Sequence, residues 1–114
     1  MYLCHRINSK KMNEQILSNI RELKRKILPN DTVILFGSQA RGDARPDSDW
    51  DLLVLLDKPQ KEFEDYDNYG YPFAELGMKD GTLINAKVFT TTDWERQKPS
   101  IFYKNVEHDK VEIV

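Results

Sequence analysis

The chain of 114 residues is poor in the residue types that build disulfide frameworks and zinc sites. It has one cysteine, Cys4, and two histidines, His5 and His108, near opposite ends of the sequence. A single cysteine excludes an intramolecular disulfide and is typical of a reducing compartment, so we expect a cytoplasmic protein. The histidines have no cysteine or histidine neighbours at zinc-ligand spacing, which argues against a structural zinc.

The sequence also lacks long apolar runs, repeats and low-complexity linkers. No stretch is long enough to cross a membrane, and no hydrophobic segment follows the first basic residues as in a signal peptide, so we expect no membrane partner. Hydrophobic residues make up 39% and charged residues 32%, which predicts a globular chain rather than a disordered one. The length predicts one domain.

Positive charge is not in excess either, since the formal net charge is −2. A helix is predicted over residues 13–28, because apolar side chains recur there every three or four residues. These apolar positions are Ile16, Ile20, Leu23 and Ile27. The opposite face is basic, but no basic stripe with interleaved aromatic residues accompanies it. We therefore favour a solvated helix face over a nucleic-acid interface and expect no nucleic-acid partner.

Residues 1–11 are polar and basic, and we expect them to form a flexible N-terminal arm. The single folded domain is then expected to cover residues 12–114. Met12 is an alternative to Met1 as the native start, and both interpretations stay open.

The most informative stretch is residues 33–57, which predicts a strand, a tight turn, a charged connection and a second strand. Residues 33–36 are a short apolar run of β-formers, and the second strand starts near Asp49. Asp49 and Asp51 stand two residues apart at that start. Period-two geometry places both carboxylates on one face of the strand, so both can reach one hard cation such as Mg²⁺.

The turn between these strands is a candidate phosphate site. Gly37 breaks the first strand, and with Ser38 it can present backbone N–H groups and a hydroxyl to an anion. Arg41 follows on a predicted short helix, where it is either a phosphate ligand or a surface residue, and both interpretations stay open. Asp47 or Ser48 is expected to shape the turn into the second strand. Phosphoryl transfer requires hydrogen-bond donors that bind phosphate and, beside them, a site for a cation.

Residues 37–42 (GSQARG) and 48–54 (SDWDLLV) together resemble the signature of the DNA polymerase β-like nucleotidyltransferase superfamily, and the short chain is most similar to its minimal nucleotidyltransferase (MNT) group. The resemblance implies that Gly37 and Ser38 bind a nucleoside triphosphate, with ATP as the expected donor. It implies that Asp49 and Asp51 are the catalytic, Mg²⁺-binding residues. It further implies two Mg²⁺ sites completed by a third carboxylate, and a helical HEPN protein as partner, which an MNT antitoxin modifies with AMP.

The third carboxylate of the family pattern has no counterpart at the matching position. The best match falls on residues 81–85 (GTLIN), which places Asn85 where the family has an aspartate. Asn85 can offer a carbonyl oxygen to a metal, but it carries no charge and cannot act as a general base. A weakened second Mg²⁺ site is therefore expected, with Asp80 as a less favoured substitute for the missing ligand.

The remaining sequence predicts further short elements. Residues 60–78 have a helical rhythm that Gly70 and Pro72 interrupt, which predicts a kinked helix or two short ones. The other predicted elements are a third strand at 82–90, helical turns capped by Thr92 or Asp93 and by Ser100, and an edge strand at 111–114. The fold class predicted is α/β, a small mixed β-sheet with helices packed mainly on one side, as in the nucleotidyltransferase fold.

Two functions follow from these observations. The first is a metal-dependent nucleotidyltransferase that transfers a nucleoside monophosphate, AMP from ATP, to a protein or small-molecule hydroxyl. The alternative is a catalytically weakened nucleotidyltransferase-fold binding module, such as the antitoxin partner of a HEPN toxin. Asn85 is the residue that separates them, because its neutral amide weakens the site that would activate the attacking hydroxyl.

Overall fold

A four-stranded mixed β-sheet is the centre of the computed structural model, which describes the backbone of residues 2–114 and the side chains of residues 14–114. The strands are β1 (Thr32–Phe36), β2 (Trp50–Leu56), β3 (Ile84–Thr90) and β4 (Val111–Ile113). They are arranged in the order β3-β2-β1-β4, with β2 and β3 parallel and the other two pairs antiparallel. The predicted α/β fold with a small mixed sheet, including an edge strand near the end of the sequence, is confirmed.

Five α-helices surround the sheet. They are α1 (Tyr2–Ile27), α2 (Ser38–Arg41), α3 (Tyr71–Lys79), α4 (Thr91–Arg96) and α5 (Ile101–Asp109). A π-helical segment, Tyr66–Gly70, leads directly into α3 with Pro72 in its first turn, so the predicted interruption lies where Gly70 and Pro72 placed it. The predicted arm falls on residues 1–11, whose side chains are outside the described residues. Its flexibility and the boundary at residue 12 stay predictions.

The larger core lies between one face of the sheet and the helices α1 and α3. It forms because alternate residues of β2 point to this face and meet the apolar stripe of α1, where Ile20 is fully buried. Leu52 and Val54 are also fully buried here, as is Phe73 from α3. This face carries the longest helix, as the prediction of helices mainly on one side requires.

A smaller core covers part of the opposite face. Leu53 of β2 and Val106 of α5 are fully buried in it, and Trp94 of α4 is 4% exposed. The prediction that Thr92 or Asp93 caps α4 is wrong. Thr90 is the cap, and its hydroxyl accepts a hydrogen bond from Asp93 N at 3.1 Å, because β3 continues into the helix without a loop.

Ser100 caps α5 as predicted, with its hydroxyl accepting from Tyr103 N at 3.0 Å. Within the described part of the chain, no helix combines the length and the apolar character that a membrane span requires.

Candidate active site

Two carboxylates and one amide meet at the end of the sheet where β2 and β3 begin. The parallel register pairs Asp51 with Asn85, so the two side chains are neighbours on one face. The Asn85 amide nitrogen donates to Asp49 Oδ2 at 3.3 Å and to Asp51 Oδ1 at 3.4 Å. The structure therefore brings together the two predicted aspartates and the residue at the predicted third position. We call Asp49, Asp51 and Asn85 the acidic cluster.

The local sequence explains why both aspartates reach this point. Trp50, between them, is 4% exposed and packs in the larger core, which turns its two neighbours to the other face. The Trp50 N–H donates to Leu83 O at 2.9 Å and starts the pairing with β3. Ser48 shapes the preceding turn as predicted, because its hydroxyl accepts from Arg45 N at 2.8 Å.

Gly37 brings the turn after β1 against the acidic cluster. Its φ is +78°, and an added Cβ would lie 2.6 Å from Asp51 Oδ2. Only glycine satisfies both the backbone conformation and this close approach. The turn opens α2, and the first N–H groups of this helix, at Ser38 and Gln39, have no partner within it. The pairing of Phe36 with Asp51 sets this geometry.

Burial and like charge act on the same carboxylate. Burial raises the pKa of Asp51 above its ordinary value, and the negative charge of Asp49 raises it further. The hydrogen bond from Asn85 and the positive charges of Lys87 and Arg41 act in the opposite direction without cancelling the rise. Two negative charges at one place with incomplete compensation are the electrostatic condition that favours a bound cation.

Arg41 lies at the end of α2, beside the turn but engaged elsewhere. Its Nη1 donates to Asp109 Oδ2 at 2.7 Å, and its Nε donates to Asp43 Oδ2 at 3.1 Å. These two hydrogen bonds raise the pKa of the guanidinium. The described structure thus ties Arg41 to the end of α5, and its role as a phosphate ligand stays a prediction.

Asp80 does not join the acidic cluster, so the less favoured substitute for the third ligand is wrong. It follows α3, and its Oδ2 accepts a hydrogen bond from Asn19 of α1 at 3.0 Å. This contact belongs to the side of the sheet that holds the larger core.

Two side chains that sequence reasoning did not assign stand on the same face as the acidic cluster. Lys87 is two residues beyond Asn85 on β3, and its Nζ lies 5.9 Å from the centroid of the Phe102 ring. Phe102 also packs edge-on against Phe36, whose ring is 5.7 Å away. The alternation of β3 could have indicated Lys87, because residues 85 and 87 share a face in any strand.

The donor set of the cluster suits one divalent cation better than two. Asp49 and Asp51 offer the carboxylate oxygens that Mg²⁺ prefers, and Asn85 can add a carbonyl oxygen if its amide rotates. Within residues 14–114, no group of three or more His, Cys, Asp or Glu side chains is placed to hold a metal ion. The cluster therefore lacks the third carboxylate that the two predicted Mg²⁺ sites would need.

Comparisons with known proteins identify the relatives of this arrangement. The model of the nucleotidyltransferase domain family matches residues 16–112, which include both strands and every residue of the acidic cluster. No match was found among curated proteins.

Two crystal structures share the fold. One is a candidate nucleotidyltransferase from Sulfolobus solfataricus, with a TM-score of 0.61 and 23% identity over 91% of this chain and 84% of that one. The other is a toxin–antitoxin structure with AMP-PNP, with a TM-score of 0.59 and 18% identity over 86% of this chain and 72% of that one. Both likenesses concern the fold.

Proposed function

Because the chain belongs to the nucleotidyltransferase domain family, we propose that it is a metal-dependent enzyme that transfers AMP from ATP to a hydroxyl of a protein or a small molecule. The observation that carries the proposal is the close approach of the Gly37 turn to the acidic cluster. In the proposal, the turn supplies hydrogen-bond donors to phosphate, and the cluster supplies the cation ligands. Members of this family generally use divalent metal ions. In this proposal Asp49 and Asp51 hold Mg²⁺, which neutralises phosphate charge when bound.

The other residues of the site bind and orient the nucleotide. The N–H groups at Ser38 and Gln39 and the Ser38 hydroxyl are the donors for the triphosphate tail. The acceptor oxygen forms a bond to the α-phosphorus while the bond from that phosphorus to the bridging oxygen breaks, and pyrophosphate leaves. The acceptor proton passes to solvent water, because the neutral amide of Asn85 cannot take it.

A second candidate function is favoured by the same position. In this alternative, Asn85 in place of a third carboxylate disables transfer, and the chain serves as a nucleotidyltransferase-fold binding module that retains nucleotide and holds a protein partner. The structural likeness to a toxin–antitoxin protein supports this alternative, in which a helical HEPN toxin is the partner. The two functions differ in one observable, which is the transfer of AMP to an acceptor, with release of pyrophosphate.

The first test is thermal unfolding of the wild-type chain and of Asp49→Asn, with and without Mg-ATP. Ligand at about 100 times its Kd stabilises a fold by roughly 2.7 kcal/mol. For a domain near this size, we expect the melting temperature to rise by about 10 °C or more. Asp49→Asn removes a cation ligand and should abolish the rise.

Asp47→Asn is the matched control, because Asp47 is an exposed carboxylate in the same connection but outside the acidic cluster. It should keep the full rise. A rise that survives in Asp49→Asn would contradict the assignment of the cation ligands. AMP incorporation into a co-purified partner, read by mass spectrometry, and release of pyrophosphate from ATP in the presence of cell metabolites then separate the enzyme from the binding module.

A further inference from the structure

Lys87 is the cationic side chain that stands nearest along β3 to the position of the missing carboxylate. Residues 85 and 87 point to the same face of the sheet, and the register places them beside Asp51 and Leu53 of β2. Lys87 is exposed, and none of the ion pairs among residues 14–114 includes it. Its ammonium lies 5.9 Å from the Phe102 ring, which packs against Phe36, the residue opposite Asp51 on β1. Lys87 therefore stands on the face of the acidic cluster with its charge unpaired among the described residues.

Lys87 also lines a groove of about 460 Å³ along the outer edge of β3. Lys61 and Arg96 line this groove, together with Phe89. Arg96 is paired with Asp93 at 3.5 Å. Lys87 is the lining residue that connects the groove with the acidic cluster, since it alone among these cations lies on the strand of Asn85.

Lys87 and the Gly37 turn, which holds the proposed hydrogen-bond donors to phosphate, lie on opposite sides of β2. The turn approaches Asp51 from β1, whereas Lys87 approaches from β3 on the opposite side of β2. If the turn holds the triphosphate tail, as in the proposed function, pyrophosphate leaves on the β1 side. An in-line acceptor then attacks from the opposite side, which β3 borders.

We propose that Lys87 binds the transferring phosphoryl group on its acceptor side and supplies there the positive charge of a second cation, so that the site works with one divalent ion. The inference rests on the proposed function and deepens it. It follows from the charge count of the site: with Asn85 neutral and Lys87 positive, Asp49 and Asp51 leave a formal charge of −1, which one Mg²⁺ outweighs. A lysine ammonium is a point charge well suited to a phosphoryl oxygen.

The experiment counts bound ions and measures nucleotide affinity on the same variants. Mn²⁺ per chain is counted by electron paramagnetic resonance, with an ATP analogue whose α,β-bridging oxygen is replaced by a methylene group and which therefore cannot react. We expect one Mn²⁺ per wild-type chain. The double variant Asn85→Asp with Lys87→Leu should bind two, because it restores a carboxylate and removes the competing ammonium.

Affinity for the Mg²⁺ complex of the same analogue tests Lys87 directly. We expect Lys87→Gln to weaken binding roughly tenfold, as for loss of one charge-assisted contact. Lys87→Arg keeps the charge and should restore most of the affinity. Lys61→Gln is the matched control from the same groove and should bind like the wild-type chain.

The possible failures are distinguishable. Two Mn²⁺ ions on the wild-type chain, or a Lys87→Gln variant that binds as tightly as the wild-type chain, would overturn the role of Lys87 and leave the proposed function in place. A wild-type chain that binds no Mg²⁺–nucleotide complex would overturn both. Circular dichroism of the variants without nucleotide identifies any that fail to fold. If Lys87→Gln does, Lys87→Met replaces it, because methionine keeps the unbranched side chain and removes the charge.

Discussion

Gly37 has no side chain at a point where the backbone turn and the Asp51 carboxylate occupy adjoining space. We expect Gly37→Ala to destabilise the fold by about 1–3 kcal/mol, because alanine is strained at positive φ and its Cβ meets Asp51 Oδ2. The displaced carboxylate should also abolish stabilisation by Mg-ATP. Urea unfolding and the thermal assay measure these two effects.

Gly42 provides the matched control for this substitution. Its φ is +81°, close to that of Gly37, but an added Cβ would meet nothing within 4 Å. Gly42→Ala should therefore carry the cost of the backbone conformation alone and keep the response to Mg-ATP. If both substitutions changed the stability and the response to Mg-ATP equally, the close approach of Gly37 to Asp51 would not be needed for nucleotide binding.

Asp51, the proposed cation ligand, lowers the stability of the unliganded fold when it is ionised. Its pKa is raised in the folded state, so the ionised carboxylate destabilises the fold above that pKa and ceases to do so as the pH falls through it. We expect Asp51→Asn to stabilise the unliganded protein at pH 7, by less than about 1 kcal/mol given its partial exposure. Chemical unfolding at several pH values should show that the difference in unfolding free energy between Asp51→Asn and the wild-type chain shrinks toward acid pH.

A loss of stability in Asp51→Asn at neutral pH would contradict this electrostatic account. The variant should also lose its response to Mg-ATP, which combines higher stability with lost function.

The connection between β2 and the π-helical segment depends on one buried carboxylate. Asp65 is 3% exposed, and its oxygens accept hydrogen bonds from Lys58 Nζ at 2.8 Å and from Glu62 N at 2.6 Å. Burial alone would raise the pKa of Asp65, but these two bonds outweigh it and lower the pKa. The same contact, with a second from Glu62, raises the pKa of Lys58 to about 12.

We expect Asp65→Asn to destabilise the fold at pH 7 by about 2 kcal/mol, as for a lost hydrogen bond to a charged group. Because the folded pKa of Asp65 is lowered, its contribution is present above the unfolded pKa and is lost as the pH falls through the folded value. The difference in unfolding free energy between Asp65→Asn and the wild-type chain should therefore narrow below about pH 4. Urea unfolding across pH measures it.

Glu62→Gln is the control for this prediction. The Glu62 side chain is 68% exposed, and its contact with Lys58 should contribute less than about 0.5 kcal/mol. A similar loss in both variants would show that the ion pair with Lys58, rather than burial, sets the effect.

Local sequence patterns predicted the elements where one signal dominated. The apolar run ending at Gly37 and the alternation beginning at Asp49 fixed β1 and β2 and placed two carboxylates on one face. The cap of α4 was misassigned because residues 90–93 (TTTD) all favour caps, and only the uninterrupted passage from β3 into the helix selects Thr90.

Contacts between distant residues were outside the reach of those patterns. The approach of Gly37 to Asp51 depends on the register of β1 and β2, and the bond from Arg41 to Asp109 joins residues 68 positions apart. The packing of α4 and α5 on the second face of the sheet likewise depends on contacts between residues distant in the sequence. The roles of Gly37, Ser38, Arg41, Asp49, Asp51 and Asn85 stay predictions until nucleotide binding is measured.

At the scale of the whole molecule, the two cores share one sheet, and each contains one of the two tryptophans. Trp50 packs in the larger core and Trp94 in the smaller one. Because β1 and β2 contribute to both, we expect the faces to unfold together. In the single-tryptophan variants Trp50→Phe and Trp94→Phe, fluorescence and far-ultraviolet circular dichroism should give coincident urea transitions.

An earlier transition by Trp94 fluorescence than by circular dichroism would show that α4 and α5 unfold as a separate unit. The Trp50 reporter in the companion variant would then follow the later transition.

The register of β2 and β3 also has an evolutionary consequence. Asn85 already stands opposite Asp51, so an aspartate there would add its charge without any movement of the backbone. Asparagine and aspartate codons differ by a single base. The chain is therefore one point mutation from three clustered carboxylates, whereas any side chain at Gly37 would meet both an unfavourable φ and the Asp51 carboxylate.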